Sequence, residues 1–276
     1  MRAAVVGHVE WVDFIEVDRV PAAGEIVHAR GFWETPGGGG AGAAVQMQKL
    51  TGRASFFTAL GADEIGRRTK RLLVREGLQV HAGVRDETSR RAVTFVDGAG
   101  ERTIAVLGSR LSPSGADPLP WSDLAETDAV YFTAGDVAAL RAARAARVLV
   151  ATTRILRFLK AAQVRLDAVV GSALDEGELY RAGDLSPPPA LAVMTEGEAG
   201  GTFEVGGGPP QRYEATPPAG PVMDRYGAGD SFAAGLAFAL GTGARPSEAV
   251  AFAARCGAAV VAGRGPYSGQ LTAREI

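Results

Sequence analysis

The chain has 276 residues, 46% of them hydrophobic, which excludes a disordered polypeptide and gives enough apolar material for one large domain. Its net charge of −2 speaks against a nucleic-acid binder, which would carry a basic face. The single cysteine, Cys256, excludes an intramolecular disulfide and a cysteine zinc cluster, and His8, His28 and His81 are too scattered to suggest a metal site.

Ala3 to Gly7 reads as a short buried first strand. Glu10 and Asp13 follow too soon for a signal peptide, and no uncharged apolar run approaches a membrane span, so the expectation is a cytoplasmic protein with no membrane partner. Val9 to Phe32 mixes apolar and polar residues around Pro21 and Ala23-Gly24, the pattern of an antiparallel excursion from the main sheet. A helix is expected over Ala41 to Leu50, closed by Gly52, then a strand over Ser55 to Gly61 and an amphipathic helix over Ile65 to Glu76. Ala92 to Val96 and Arg102 to Val106 flank Asp97-Gly98-Ala99-Gly100 as a hairpin.

From Asp128 the rhythm becomes strand then helix. Strands are expected at Ala129 to Phe132, Val148 to Ala151, Ala168 to Gly171 and Leu191 to Thr195, with helices at Val137 to Ala146 and Thr153 to Ala162. Such alternation predicts an α/β fold, a mostly parallel central sheet with helices on both faces, and the excursions at about 9–34 and 91–107 predict a small antiparallel β lid within a single domain, 1–276. Thr202 to Val205 and Arg212 to Thr216 form a further hairpin, and two helices, Ser231 to Leu240 and Pro246 to Val261, finish the chain.

Two glycine clusters carry the chemistry. In Val222-Met-Asp-Arg-Tyr-Gly-Ala-Gly-Asp-Ser-Phe232, a Gly-Ala-Gly turn opens an apolar helix, leaving backbone N–H groups aimed at one spot where the helix dipole favours an anion. Asp230, in the first turn, is poorly placed to bind phosphate and well placed to take a proton from a hydroxyl that attacks it, which suggests phosphoryl transfer to an alcohol. Taken alone, Gly-x-Gly-Asp equally describes a helix-start acid after a flexible turn.

The other cluster is Pro36-Gly37-Gly38-Gly39-Gly40-Ala41-Gly42. Gly37, Gly39 and Gly42 with Asp63 satisfy the letter of a dinucleotide fingerprint, although Arg30 to Pro36 does not read as the buried strand that should precede it. The same loop also suits close backbone approach to a polyhydroxylated ligand, with Asp13 accepting from neighbouring sugar hydroxyls. A P-loop and a serine nucleophile elbow are both absent.

Both clusters, in this order and near opposite ends of the chain, resemble the ribokinase-like (phosphofructokinase B) family of carbohydrate kinases. That family's Asp-Thr-x-Gly-Ala-Gly-Asp-x-Phe appears as Asp224-Arg225-Tyr226-Gly227-Ala228-Gly229-Asp230-Ser231-Phe232, and its Gly-Gly-x-Gly-x-Asn-x-Ala as Gly37-Gly38-Gly39-Gly40-Ala41-Gly42-Ala43-Ala44. The resemblance implies a three-layer α/β/α sandwich, ATP and Mg2+ as cofactors, and a sugar or nucleoside acceptor. It makes Gly227, Ala228 and Gly229 the anion hole and Asp230 the catalytic base. Asp13, Gly37, Gly38, Gly42 and Asp136 become acceptor ligands, and Thr195, Gly197, Gly200 and Asp224 border the nucleotide.

Departures from the family pattern are specific. Gly42 stands where an Asn usually holds a sugar hydroxyl. Ser172-Ala173-Leu174-Asp175 stands where Asn-x-x-Glu organises magnesium and phosphate, which makes Asp175 the magnesium residue. Arg225 and Tyr226 alter the stretch linked to a monovalent cation, leaving potassium dependence open. By analogy the lid strands pair two subunits in a homodimer. The reading is therefore an ATP-dependent kinase for a hydroxyl of a sugar or related small molecule. Its alternatives are a catalytically weak sugar-binding or regulatory homologue and, less favoured, a dinucleotide-dependent oxidoreductase.

Overall fold

The computed structural model describes residues 1–276, and its first strand, β1 (Ala3–Val6), shows why a parallel sheet forms the centre. All four residues are buried, as a strand covered on both faces requires. It pairs in parallel with β4 (Ala54–Gly61) on one side and β8 (Ala129–Phe132) on the other. β5 (Gln79–Arg85) continues the sheet past β4, while β9 (Val148–Thr152), β10 (Ala168–Ser172) and β11 (Leu191–Thr195) continue it past β8. Antiparallel β12 (Gly201–Val205) and β13 (Gln211–Tyr213) complete nine strands in the order β13-β12-β11-β10-β9-β8-β1-β4-β5.

Period-two alternation sends each strand's side chains to two separate cores. Val5, Phe56, Tyr131 and Val150 meet α1 (Gly39–Thr51), α2 (Glu64–Arg75), α5 (Ala228–Gly241) and α6 (Pro246–Val260). Val6, Phe57, Phe132 and Leu149 meet α3 (Val137–Ala143) and α4 (Leu156–Ala162) on the opposite face. The three layers expected from the strand–helix rhythm are thus present. No helix is long and apolar enough to cross a membrane.

Sequence and structure differ in three places. β5 was not anticipated, because an edge strand with Val84 left 68% exposed lacks a clean apolar rhythm. α3 stops at Ala143, and the Arg144 guanidinium then bonds the Ala146 carbonyl. The 153–162 run begins as a 3₁₀ turn, Thr153–Ile155, with the Thr152 hydroxyl accepting the Arg154 N–H.

A second sheet, of four strands, stands apart from the first. β2 (Glu10–Glu16) and β3 (Gly31–Gly37) form one antiparallel pair, β6 (Arg91–Val96) and β7 (Arg102–Leu107) another. A parallel pairing of β2 with β6 joins them. Its inner face gathers Val12, Phe14, Ala92 and Val96 around Tyr226, with the Phe14 ring edge-on to Tyr226 at 5.1 Å and stacked on Trp33 at 5.0 Å. The small sheet therefore rests on the residue that precedes Gly227.

Candidate active site

The carboxyl ends of β1, β8, β9, β10 and β11 open into a cleft of about 700 Å³, bounded across from them by β7 of the small sheet. Open parallel sheets bind ligands at this end, because the loops there converge and the strands' side chains do not fill the crevice. His8, Thr133, Thr152, Ser172 and Thr195 come from the strand ends, and Arg102, Ile104 and Val106 from β7.

Helix α5 begins on the cleft wall. Gly227 is its N-cap at φ +84°, a left-handed conformation that a side chain would strain. Its carbonyl takes the Ser231 N–H at 2.9 Å, so the N–H groups of Ala228, Gly229 and Asp230 have no intrahelical acceptor. Gly227, Gly229 and Asp230 line the cleft, whereas Ala228 contributes backbone behind its wall.

Asp230 lies between two helices that approach closely through glycine. A Cβ on Gly39 would lie 3.0 Å from Asp230 Oδ1, and one on Gly42 would lie 3.4 Å from Oδ2. Burial raises the Asp230 carboxyl to about 6, against the opposing positive charges of Arg102 and Arg154. A carboxylate with that affinity for a proton, beside unpaired amides, joins a base to an anion site.

The other expected residues divide. Gly38 lines the cleft and its N–H donates to the Tyr226 hydroxyl at 2.8 Å. Thr195 and Gly197 also line it, the Thr195 hydroxyl donating to the Gly171 carbonyl. Gly37 lies behind it, where a Cβ would meet Val12 Cγ2 at 2.6 Å. Gly42 faces Asp230 and offers no side chain to a ligand. Gly200 is a turn glycine between β11 and β12, off the cleft.

Three carboxylates expected at ligands are engaged by partners within the protein. Asp13 does not reach the cleft; it pairs with Arg91 across the neighbouring strands at 2.5 Å. Glu10 and Asp13 lie three residues apart on β2, so the pleat sends their side chains to opposite faces and the cleft side falls to Glu10. Asp224 is fully enclosed and accepts from the Tyr226 and Gly265 N–H groups at 2.8 and 3.0 Å, bracing the loop ahead of Gly227. Asp136 caps α3, accepting from Ala139 N–H at 2.7 Å, Ser114 hydroxyl at 2.6 Å and Gly115 N–H at 3.0 Å. Asp136→Ala is expected to cost about 1–2 kcal/mol of folding stability, as a lost cap does, with acceptor KM unchanged. Urea unfolding alongside steady-state kinetics checks this.

Asp63, needed by the dinucleotide reading, caps α2 and takes the Ser89 N–H and hydroxyl. The glycine run itself follows β3, an edge strand of the small sheet, where that reading needs a central parallel strand. The arrangement gives no support to a dinucleotide site.

Asp175 lines the cleft, and so does Glu178, which the sequence reading missed. Arg154 bridges them, 3.1 Å from Asp175 Oδ2 and paired with Glu178. Glu178 Oε2 also accepts the Ser172 N–H at 3.2 Å. Asp175-Glu176-Gly177-Glu178 keeps the x-x-Glu spacing of Asn-x-x-Glu with Asp175 in the Asn position, a register three residues later than the one first assigned. Also missed were His8, Glu10, Arg102, Arg110 and Arg154, all on the cleft together with Arg90. Isolated histidines and arginines carry no spacing signal.

Comparison with known proteins matches the chain to one family. The profile described as "pfkB family carbohydrate kinase" matches residues 2–175 and 158–273. Fructokinase-2 of Solanum habrochaites is 34% identical over 82 residues, 29% of this chain and 25% of that relative, so the match spans about a quarter of the curated protein's length. Ribokinase from Giardia lamblia superposes with a TM-score of 0.79 at 17% identity, covering 99% of this chain and 97% of that one. Arabidopsis thaliana ribokinase, solved with ribose and ATP, gives 0.73 at 22% identity over 99% and 96%. At these identities the superpositions establish the shared fold.

Proposed function

The chain belongs to the pfkB family of carbohydrate kinases, and from that premise we propose that it transfers the γ-phosphoryl group of ATP to a hydroxyl of a sugar, nucleoside or related small molecule. One observation carries the reading: Asp230, with its proton affinity raised to about 6, stands in the first turn of α5 beside amides that have no acceptor. The acceptor hydroxyl gives its proton to Asp230 as its oxygen bonds to phosphorus, and the bridging oxygen leaves with ADP. The free N–H groups after Gly227 receive the charge on the transferring group, so the gain is mainly positioning and electrostatics.

In this reading Thr195 and Gly197 border the nucleotide, Gly38 and Gly39 present backbone to the acceptor, and Glu10 takes the hydroxyl-binding role that Asp13 does not fill. The small sheet acts as a lid, with Arg102 of β7 reaching toward Tyr226 and Asp230. Asp175 and Glu178 suit magnesium, which favours one or two carboxylates completed by phosphate oxygens and water. Bound there with ATP, Mg2+ would neutralise phosphate charge. We propose no monovalent-cation requirement, since Arg225 sets its own cation between Glu101 and Glu198 at 2.7 and 2.6 Å. A homodimer through the small sheet belongs to the same proposal, the outer edge of β7 being unpaired.

The test is acceptor-dependent ADP release with Mg-ATP across a panel of sugars, nucleosides and their acidic derivatives. Release that depends on both acceptor and Asp230 is the expected result. Ligand-induced stabilisation with no ADP from any acceptor would identify a silent sugar-binding homologue instead.

A further inference from the structure

We propose that the acceptor carries an anionic group, a carboxylate or a phosphate, bound by Arg90 and Arg110 at the end of the cleft away from the nucleotide. The inference rests on the kinase reading for what the site does, but its geometry stands independently. Thr195, Gly197 and Gly227 mark one end of the cleft, and His8, Glu10, Arg90 and Arg110 the other, with Asp230 between.

At that far end positive charge exceeds what the protein neutralises. Arg90 is only 15% exposed and sits 2.8 Å from Glu10 Oε2. Neither Arg90 Nε nor Glu10 Oε2 completes a hydrogen bond, so both retain bonding capacity in a buried place. Arg154 is occupied by Asp175 and Glu178. Arg110 is exposed on the cleft and makes no ion pair; Glu10 alone opposes the repulsion it meets from Arg90 and Arg154. Two guanidinium groups, Arg90 and Arg110, share the single carboxylate of Glu10 there, and an anion would complete the balance.

His8 reports the same field from inside. It is 7% exposed, lines the cleft, and its Nδ1 has no partner. Burial, followed by Arg110, Arg90 and Arg154, depresses it to about 3, so it stays neutral at physiological pH and leaves the arginines to supply the charge. Gly42 fits the same picture: where the family pattern has an Asn for a neutral hydroxyl, this chain has none, and recognition shifts to the guanidinium end. Arginine suits it, since its fork matches carboxylate and phosphate oxygens in pairs.

Calorimetry in the absence of nucleotide with ribose, ribonate and ribose 5-phosphate tests the proposal, repeated on Arg110→Gln. The anionic probe is expected to bind at least 10-fold more tightly than ribose, with Arg110→Gln bringing the ratio toward one; whichever of ribonate and ribose 5-phosphate gains more identifies the anion. Arg110 is exposed, so exchanging it for Gln leaves the packing of the core intact. Equal affinities for all three probes, or an unchanged ratio in the variant, would overturn the inference. ADP release with neutral acceptors alone would also overturn it while preserving the kinase reading. Arg110-dependent anion binding with no ADP release from any acceptor would do the reverse.

Discussion

Asp230→Asn is expected to lower turnover by about 10²–10⁴-fold, the usual worth of a positioned general base, while leaving the protein folded. The isostere keeps the shape that α1 accepts, since Gly39 and Gly42 leave room for a planar group at this position. It removes only the ability to take the acceptor's proton. In the wild type, kcat/KM for the acceptor should fall about tenfold per pH unit below about 6, where burial holds the Asp230 carboxyl, and the Asn variant should lose that limb.

Stability should move the other way. The folded carboxyl binds its proton more tightly than the unfolded value of 3.8, so ionisation costs the native state stability as pH rises from there through about 6. A neutral Asn escapes that cost, and the variant should melt no lower than the wild type at neutral pH. Rising or unchanged stability with collapsed turnover is the mark of a functional carboxylate, whereas a helix-start acid would lose stability and spare turnover. Thermal melts paired with ADP-release rates at several pH values separate the two.

Much of this was legible in sequence because the governing signals are local. The buried run Ala3–Val6, the helix opened by Gly227 and the turn at Asp97–Gly100 follow from a few adjacent residues. The site carboxylates were harder, since a carboxylate's role depends on which face of its element meets the cleft. Asp13 and Glu10 lie three residues apart on one strand, and only the register with β6 and β3 shows that Arg91 takes the first and the cleft the second. Asp136 illustrates a different limit: helix capping and ligand binding call for the same residue at a strand–helix junction, and only the Ala139, Gly115 and Ser114 donors decide between them. At the arginine end, the adjacent Arg90 and Arg91 are equal candidates in sequence for an acceptor's anion, and only the fold sends Arg90 to the cleft and Arg91 to Asp13, while Arg110 and Arg154 join Arg90 from distant segments.

Gly40→Ala should destabilise the fold by about 1–3 kcal/mol or more and reduce kcat/KM at least tenfold, against the direction that helix propensity alone predicts. Gly40 is the second residue of α1, where exchanging Gly for Ala would by itself stabilise a helix interior by up to about 1 kcal/mol. Here a Cβ would lie 2.4 Å from the His8 carbonyl oxygen and 2.8 Å from the Gly7 carbonyl carbon. Both are backbone atoms, which no rotamer change can move aside, so the end of β1 and the start of α1 must separate. That seam holds His8 on one side and Gly38 and Gly39 on the other, and the gap would also loosen α1 from Asp230. Gly42→Ala is the internal control, since its Cβ would meet Asp230 only at 3.4 Å, near ordinary contact, and the propensity gain should survive. Urea titrations of both variants decide the matter: if Gly40→Ala is as stable as Gly42→Ala, the close approach of β1 to α1 does not constrain the site.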